Sequence, residues 1–127
     1  MLGDNTVVAT IAVKDLDKAK KFYEETLGLK PMPGMDEGGM MYKSGNSQIF
    51  IYPSQFAGTN QATYAAWGVG EDLEKVIEDL KGKGVSFEHY DSIPGAKLEG
   101  DVHVMGDLKA AWFKDPDGNI LNILNKM

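Results

Sequence analysis

Two histidines and several carboxylates lie close together in the second half of the sequence. The stretches FEHYD and EGDVH place His89 and His103 near Glu88, Asp91, Glu99 and Asp101. In an extended chain, Glu99, Asp101 and His103 would point to the same side, which could create a divalent-metal site. His103 could instead be a general acid or base, because imidazole titrates near neutral pH, or it could contact a ligand. A further interpretation is that these side chains have no such role, because side chains in a Gly- and Asp-rich loop are commonly exposed to solvent.

One amide interrupts an apolar strand near the C-terminus. The stretch DPDGNILNIL begins with a tight turn, because Asp, Pro and Gly favour the backbone angles of turns. The strand after it carries four apolar side chains and one polar side chain, Asn122. A carboxylate here could bind a metal, whereas an amide offers a donor and an acceptor to an organic ligand or to nearby backbone.

The composition of the chain excludes several function classes. Its 127 residues suit one domain with a substantial core, and its net charge of −6 argues against a nucleic-acid partner. The absence of Cys excludes disulfides, thiolate metal sites and a Cys nucleophile. No apolar run approaches the ~18 residues of a membrane helix, and the N-terminus lacks a signal-peptide pattern. We therefore expect a cytoplasmic protein with no membrane partner.

The predicted elements occur twice in the same order: a strand, a helix and three strands. The first set comprises a strand at 5–13, the helix KDLDKAKKFYEETLGL and the extended segments LKPMPGM, GMMYKSG and SQIFIYP. The second comprises a strand at 62–69, the amphipathic helix EDLEKVIEDLKGKG, the strand VSFEHY, a long loop over about 91–107, and the hairpin of LKAAWFK and NILNIL. VKDLDK also returns as VGEDLEK. This internal repeat predicts two βαβββ modules, at about 5–53 and 62–126.

Two stretches of the sequence resemble a known family. AVKDLDKAKKFYEETLGLKP, followed by AAWFKDPDGNILNIL, is similar to the vicinal oxygen chelate (VOC) superfamily of glyoxalases, bleomycin-resistance proteins and extradiol dioxygenases. The resemblance covers nearly the whole chain and implies one α+β domain, at 1–127. It implies two paired βαβββ modules that form a curled, cup-shaped mixed sheet with the helices on its outer face. It also implies a homodimer, with the cup inside one chain or across two.

The resemblance also identifies the positions where a metal would bind. In metal-dependent members, His and Glu ligands on the first and fourth strands of each module hold an ion that polarises the substrate. The matching positions here hold Val8, Phe50, Tyr64 and Asn122. Val and Phe cannot bind a metal, and neutral Tyr and Asn are poor ligands for a transition metal. The comparison therefore implies a protein without a metal or other cofactor.

Strand alternation predicts which side chains line the cup. If Val8 and Phe50 face inward, Thr10 and Tyr52 do so as well, and Ile49 and Ile51 face the core. Alternation does not decide on which face of the sheet Trp112 lies. The candidate ligand-binding residues are Val8, Thr10, Phe50, Tyr52, Tyr64, Trp112 and Asn122. An aromatic lining with a few polar groups is typical of organic-ligand pockets, although such residues could also form a core or a dimer interface.

The resemblance implies a metal-independent protein that binds or sequesters a small organic molecule, as bleomycin-resistance proteins do in antibiotic resistance. Acidity and aromatic residues together favour a cationic aromatic ligand. The alternative is an enzyme of the same superfamily, a lyase, isomerase or dioxygenase, that uses His103 and the nearby carboxylates. A third hypothesis is a cup that is mainly a dimer interface. The loop over 91–107 is where we expect ligand specificity to arise.

Overall fold

A computed structural model describes residues 1–33 and 38–126 of the chain. These residues form two α-helices and ten β-strands, which confirms the α+β class. The chain divides into two compact units, which we call module one (residues 1–60 and 116–118) and module two (the rest of the chain). No helix in the described part of the chain has the length and hydrophobicity that a membrane span requires.

Module one is a short 3-10 helix (Leu2–Asp4) followed by a four-stranded mixed sheet and its main helical segment. Its elements are β1 (Ala9–Val13), α1 (Leu16–Lys21) with a π-helical continuation (Phe22–Thr26), β2 (Lys30–Pro31), β3 (Met40–Ser44) and β4 (Ser47–Pro53). The strands lie in the order β1-β4-β3-β2, with β1 parallel to β4 and the other pairs antiparallel. A parallel pair needs a long connection between its strands, and this connection begins with the helical segment.

The local sequence explains where α1 begins and where the helical segment ends. The carboxylate of Asp15 accepts hydrogen bonds from the backbone N–H groups of Asp17 and Lys18, so Asp15 is the N-cap of α1. Gly28 follows the π-helical continuation with a φ of 75°, a backbone angle that costs glycine little. The predicted helix is therefore confirmed, with its second half π-helical rather than α-helical.

One face of the module-one sheet is buried with the helix. The strand residues of this face alternate along β1 and β4 and are all buried: Ile11, Val13, Ile49 and Ile51. Tyr42 of β3 pairs with Ile49 and stacks on Tyr23 of the helical segment, with ring centroids 6.3 Å apart. The predicted core positions Ile49 and Ile51 are confirmed, so the opposite face of this sheet carries Phe50 and Tyr52.

A buried tyrosine hydroxyl connects the helical segment to the sheet. The hydroxyl of Tyr42 donates to Oε2 of Glu24 at 2.8 Å. Burial raises the pKa of Tyr42 well above its ordinary value, and the hydrogen bond to Glu24 and the charge of Glu24 raise the pKa further. The folded protein therefore retains the phenolic proton at pH values where the unfolded chain releases it.

Module two has the same connectivity with additional strands. Its elements are β5 (Thr63–Gly68), α2 (Leu73–Gly82), β6 (Phe87–Glu88), β7 (Lys97–Glu99), β8 (Val102–Met105), β9 (Leu108–Lys114) and β10 (Ile120–Leu124). The strands lie in the order β5-β10-β9-β8-β7, and β6 also pairs with β9. Strand β5 is parallel to β10, as β1 is to β4. The repeated first-to-last parallel pairing confirms the βαβββ pattern.

The predicted long loop over residues 91–107 was wrong in part, because it contains the hairpin of β7 and β8. Glu99 pairs with Val102 across the two-residue turn at Gly100 and Asp101, and Gly100 has the positive φ that such turns favour. Strand β8 then pairs with β9, so the hairpin extends the sheet. Strands of three and four residues carry too little alternation for the sequence pattern to reveal them.

The buried face of module two includes α2. Leu73, Ile77 and Leu80 of α2 are buried, which confirms its predicted amphipathic pattern. Ile77 and Lys109 of β9 line the same groove, so α2 lies on the face of the sheet that carries Lys109. By alternation this face also carries four buried residues: Ala111, Phe113, Leu121 and Ile123.

The predicted DPDG turn joins β9 to β10. The backbone N–H of Asp115 donates to the carbonyl of Asn119, and the Asp115 carboxylate accepts from both the backbone N–H and the side-chain amide of Asn119. Both side chains are buried, and Gly118 has a φ of 90°. The turn therefore fixes the register of the two strands that carry Trp112 and Asn122.

The Tyr42 hydroxyl predicts a specific alkaline dependence of stability. Unfolded tyrosine ionises near pH 10, and because the folded pKa is higher, the free energy of unfolding should fall as the pH rises above about 10. Replacing Tyr42→Phe should cost about 1 kcal/mol at pH 7 and should weaken this alkaline loss. Urea unfolding between pH 8 and pH 11 measures both effects, with Tyr52→Phe as the matched control. An equally steep loss in Tyr42→Phe and wild type would contradict the prediction.

Candidate functional site

The helix-free face of module one carries predicted site residues. Thr10 pairs with Phe50, and Ala12 with Tyr52, across β1 and β4. The rings of Phe50 and Tyr52 are half-buried and stack almost parallel, with an interplanar angle of 7° and centroids 5.8 Å apart. Val8 is half-buried immediately before β1. The structure therefore brings Thr10, Phe50 and Tyr52 together on one face, where the rings offer a planar apolar surface.

The helix-free face of module two carries the other predicted residues. Trp112 pairs with Asn122 across β9 and β10, so both side chains lie on the same face. Ala110, two residues before Trp112, pairs with His103 of β8 and extends the same face. The orientation of Trp112, which the sequence left open, is thus toward Asn122 and His103.

An aromatic cluster is built around His103 on this face. His103 is 0% exposed, and its ring lies edge-on to that of Trp112, with centroids 5.0 Å apart. The ring of Tyr90 lies 5.7 Å from Trp112 and 5.8 Å from His103, centroid to centroid. Tyr90 and Trp112 are half-buried. We call Tyr90, His103 and Trp112 the aromatic cluster.

Two polar atoms of the aromatic cluster are buried and have no hydrogen-bond partner among residues 1–33 and 38–126. The backbone N–H of Tyr90 donates to Nε2 of His103 at 2.9 Å. The other ring nitrogen, His103 Nδ1, and the hydroxyl oxygen of Tyr90 have no hydrogen-bond partner among the described residues. A buried polar group without a partner costs about 1–3 kcal/mol. A ligand that supplied the missing hydrogen bonds would recover this free energy.

Burial keeps the Tyr90 hydroxyl protonated. Desolvation raises the pKa of Tyr90 above its ordinary value, and the charge of Glu88 raises it further. The phenol is therefore neutral at physiological pH and can donate or accept a hydrogen bond.

A threonine on the first strand of module two supports Trp112. The indole N–H of Trp112 donates to the hydroxyl oxygen of Thr63 at 3.1 Å. The register between β5 and β10 shifts at this point, because Thr63 pairs with Ile120 and Ala65 with Leu121. Tyr64, which is half-buried, therefore has no residue opposite it in β10.

Sequence reasoning missed Tyr90 and Thr63 as parts of the site. Tyr90 lies beyond the end of β6, where no alternation pattern indicates the direction of a side chain. The contact of Thr63 with Trp112 depends on the register shift between β5 and β10, and a single sequence does not reveal such a shift. The position of Tyr90 next to His89 in FEHYD was the one available signal.

Asn122 is engaged with the backbone of its own sheet. It is 4% exposed, and its side-chain Nδ2 donates to the carbonyl oxygen of Ala111 at 3.0 Å. This hydrogen bond supports the interpretation in which the amide satisfies neighbouring backbone. A role for Asn122 in ligand binding stays a prediction.

The carboxylate of Asp101 is engaged by partners other than His103. Its two oxygens accept hydrogen bonds from Nζ of Lys81, at 2.9 Å, and Nε2 of His89, at 2.8 Å. The hydrogen bond from His89 contributes most to lowering the pKa of Asp101, and that from Lys81 contributes next. The hairpin turn that begins after Glu99 also prevents Glu99, Asp101 and His103 from following one another along one extended strand.

The comparison with family profiles decides the family of this chain. The profile described as the Glyoxalase/Bleomycin resistance protein/Dioxygenase superfamily matches residues 6–123. The chain belongs to this superfamily. The resemblance inferred from the two sequence stretches is thereby confirmed. The search of curated protein sequences gave no significant match.

Several solved structures have a fold similar to that of the chain. The fosfomycin resistance protein FosX from Listeria monocytogenes is 16% identical with a TM-score of 0.69, covering 97% of this chain and 91% of its own. The lactoylglutathione lyase from Agrobacterium tumefaciens is 14% identical with a TM-score of 0.70, covering 94% and 92%. An integron cassette protein from the metagenome of the Halifax Harbour sewage outfall is 18% identical with a TM-score of 0.69, covering 94% and 97%. At these identities the likeness shows the fold alone.

A metal site of the kind that the resemblance implies needs several His or carboxylate ligands around one ion. A variant of the Listeria FosX has been solved with Mn(II) and 1S,2S-dihydroxypropylphosphonic acid. In this chain the positions that the resemblance assigns to metal ligands hold Val8, Phe50, Tyr64 and Asn122, and Nδ2 of Asn122 donates to a backbone carbonyl. Residues 1–33 and 38–126 contain no group of three His, Cys, Asp or Glu side chains that could hold an ion. The donor set does not fit the superfamily's metal.

The partners of Asp101 predict an acid-dependent contribution to stability. A lowered folded pKa stabilises the protein above the unfolded pKa of about 3.9, and this contribution is lost as the pH falls through the folded value. Asp101→Asn should lower the melting temperature by about 3 °C at pH 7. The difference from wild type should shrink as the pH falls below about 4.

Thermal melting between pH 3 and pH 7 measures the effect of Asp101→Asn. The matched control is Asp91→Asn, which changes an exposed carboxylate nearby. A melting difference for Asp101→Asn that stays constant down to pH 3 would overturn the prediction.

Proposed function

We propose that this protein binds or sequesters a small organic molecule without the help of a metal ion. The observation that carries the proposal is the aromatic cluster of module two, in which two buried polar atoms lack partners among the described residues. Aromatic surface with a few polar groups is the usual composition of a small-molecule site. The stacked pair of Phe50 and Tyr52 supports the same proposal for the helix-free face of module one.

The donor set supports the proposal of metal independence. A Lewis-acid site needs several oxygen or nitrogen ligands around one ion, and Val8 and Phe50 offer none. Tyr64 and Asn122 offer only neutral oxygen, which transition metals bind weakly. The proposal therefore assigns binding to aromatic stacking and hydrogen bonds.

The ligand of the proposal is aromatic. A planar ring can stack on Phe50 and Tyr52 or contact the edge of Trp112, and each such contact is worth about 0.5–1.5 kcal/mol beyond the buried area. The net charge of −6 supports a ligand with a cationic group, because acidic proteins attract cations. We further propose a role in antibiotic resistance for a homodimer in the cytoplasm, on the basis of the resemblance, with no nucleic-acid partner.

An enzyme that uses His103 and the nearby carboxylates is the rival hypothesis. Asp101 is held by Lys81 and His89, and the hydrogen bond found at the imidazole of His103 comes from the backbone of Tyr90. Because no carboxylate bonded to His103 supports proton transfer among the described residues, the geometry favours binding over catalysis.

Metal addition gives the first test of the proposal. Chelator-stripped protein should show no rise in melting temperature with Ni²⁺, Zn²⁺, Mn²⁺ or, under anaerobic conditions, Fe²⁺. A ligand at about 100 times its dissociation constant adds roughly 2.7 kcal/mol, which shifts melting by several degrees at this size. A metal-dependent rise that disappears in His103→Ala would contradict metal independence and favour the enzyme.

A comparison of the two tryptophans gives the second test. A library of planar aromatic compounds with cationic and neutral members is screened by melting temperature, and we expect members that raise it by several degrees. Trp112→Leu should weaken their binding about tenfold, since it removes the ring that borders His103. Trp67→Leu is the matched control, because Trp67 pairs with Ile123 on the opposite face. Equal losses in both variants, or no binder in the library, would contradict the proposal.

A further inference from the structure

The hydrogen bond between Tyr90 and His103 fixes the tautomer of the imidazole. The backbone N–H of Tyr90 is always a donor, so Nε2 of His103 must present its lone pair to it. A neutral imidazole carries one proton, which must then be on Nδ1. The atom without a partner in the described residues is therefore an N–H donor.

A buried N–H without an acceptor indicates what kind of group would complete the site. His103 is 0% exposed, so solvent at the surface does not satisfy this donor. Its neighbours Tyr90 and Trp112 are half-buried, and displacement of either ring would give a ligand access to the imidazole. The N–H would recover the cost of its burial by donating to a ligand oxygen.

We infer that the ligand carries a carbonyl-type oxygen, of a ketone, amide or carboxylate, that accepts a hydrogen bond from Nδ1–H of His103. This inference rests on the proposed binding function. It adds that the ligand has a hydrogen-bond acceptor where it contacts His103. It also defines the role of His103 as a hydrogen-bond donor rather than a general base, because neither ring nitrogen has a free lone pair. The Tyr90 hydroxyl, which is kept neutral by burial, is a second donor in the same aromatic cluster.

Two substitutions separate the structural role of His103 from its role toward the ligand. In His103→Gln, the amide at the end of the side chain lies where Nε2 was, so its oxygen can accept from Tyr90 N–H while the Nδ1 donor is lost. In His103→Asn, the amide lies where Nδ1 was, so a donor remains while the acceptor for Tyr90 is lost. His89→Gln is the matched control, since His89 is exposed and bonded to Asp101.

The first measurement is the tautomer of His103 in the free wild-type protein, by ¹⁵N nuclear magnetic resonance of labelled histidine. The sequence has two histidines, so His89→Gln assigns the signals. A proton on Nδ1 supports the inference. A proton on Nε2, or an Nδ1 proton already held in a hydrogen bond to a buried water, would overturn it without reference to any variant.

The second measurement uses four naphthalene compounds of similar size. They are 2-acetylnaphthalene and 2-naphthoate, which carry the oxygen, 2-ethylnaphthalene, which lacks a polar group, and 2-(aminomethyl)naphthalene, which is a cation. At least one of the two oxygen compounds should bind wild type about five- to tenfold tighter than 2-ethylnaphthalene, as a single buried hydrogen bond allows. This advantage should disappear in His103→Gln and persist in His103→Asn and His89→Gln.

The outcomes distinguish this inference from the proposed function. If 2-ethylnaphthalene or the cation binds at Trp112 as tightly as the oxygen compounds, the inference fails and the binding function stands. If the oxygen advantage survives in His103→Gln, the inference also fails, because another group then donates the hydrogen bond to the ligand oxygen. If none of the four compounds binds, the inference and the proposed aromatic site fail together. Preference for 2-acetylnaphthalene over 2-naphthoate would identify a neutral carbonyl, and the reverse would identify a carboxylate.

Discussion

The parallel pairing of the first and last strands of each module is the constraint on which the candidate site depends. It places β1 beside β4 and β5 beside β10, so that alternate residues of neighbouring strands share a face. One face of each sheet is buried with the helix. The other face carries the aromatic and polar side chains of the candidate site. In module two, the DPDG turn then fixes the register of β9 against β10, which aligns Trp112 with Asn122. The site is therefore a consequence of register more than of any local motif.

The helix-free face of module two carries an energetic cost that the fold alone does not explain. A core made only of apolar side chains would leave no polar atom without a partner, yet His103 Nδ1 and the Tyr90 hydroxyl oxygen lack one among the described residues. At about 1–3 kcal/mol each, these atoms reduce a stability that is typically only 5–15 kcal/mol. Phe or Leu at position 103 would remove the unpartnered Nδ1 but would also leave the backbone N–H of Tyr90 without its acceptor. The fold therefore accounts for Nε2 of His103, whereas Nδ1 is the atom that the proposed binding function accounts for.

The sequence predicted the fold well because its signals were periodic and repeated. The 0, 3, 4, 7 spacing in α2, the alternation around Ile49 and Ile51, and the repeated VKDLDK pattern all describe regular structure. The site was predicted only in part, since long-range contacts decide it. The sheet face on which Trp112 lies is decided by its pairing with Asn122. The position of Thr63 in the site depends on the register shift between β5 and β10. Tyr90 lies after the two-residue strand β6, and its backbone N–H donates to His103. No periodic pattern in the sequence predicts that contact.

The proposed chemistry differs from that of a metal-dependent protein in what attracts the ligand oxygen. A divalent ion attracts a substrate oxygen strongly and over several ångströms, and it needs anionic or imidazole ligands to hold it. If the ligand positions that the resemblance implies are Val8, Phe50, Tyr64 and Asn122, the proposed function requires that attraction to come from neutral donors. Neutral N–H and O–H donors act only at short range and in a fixed direction. They therefore suit recognition of a carbonyl-type oxygen better than activation of it, and this difference argues for a binding protein on a fold that also supports catalysis.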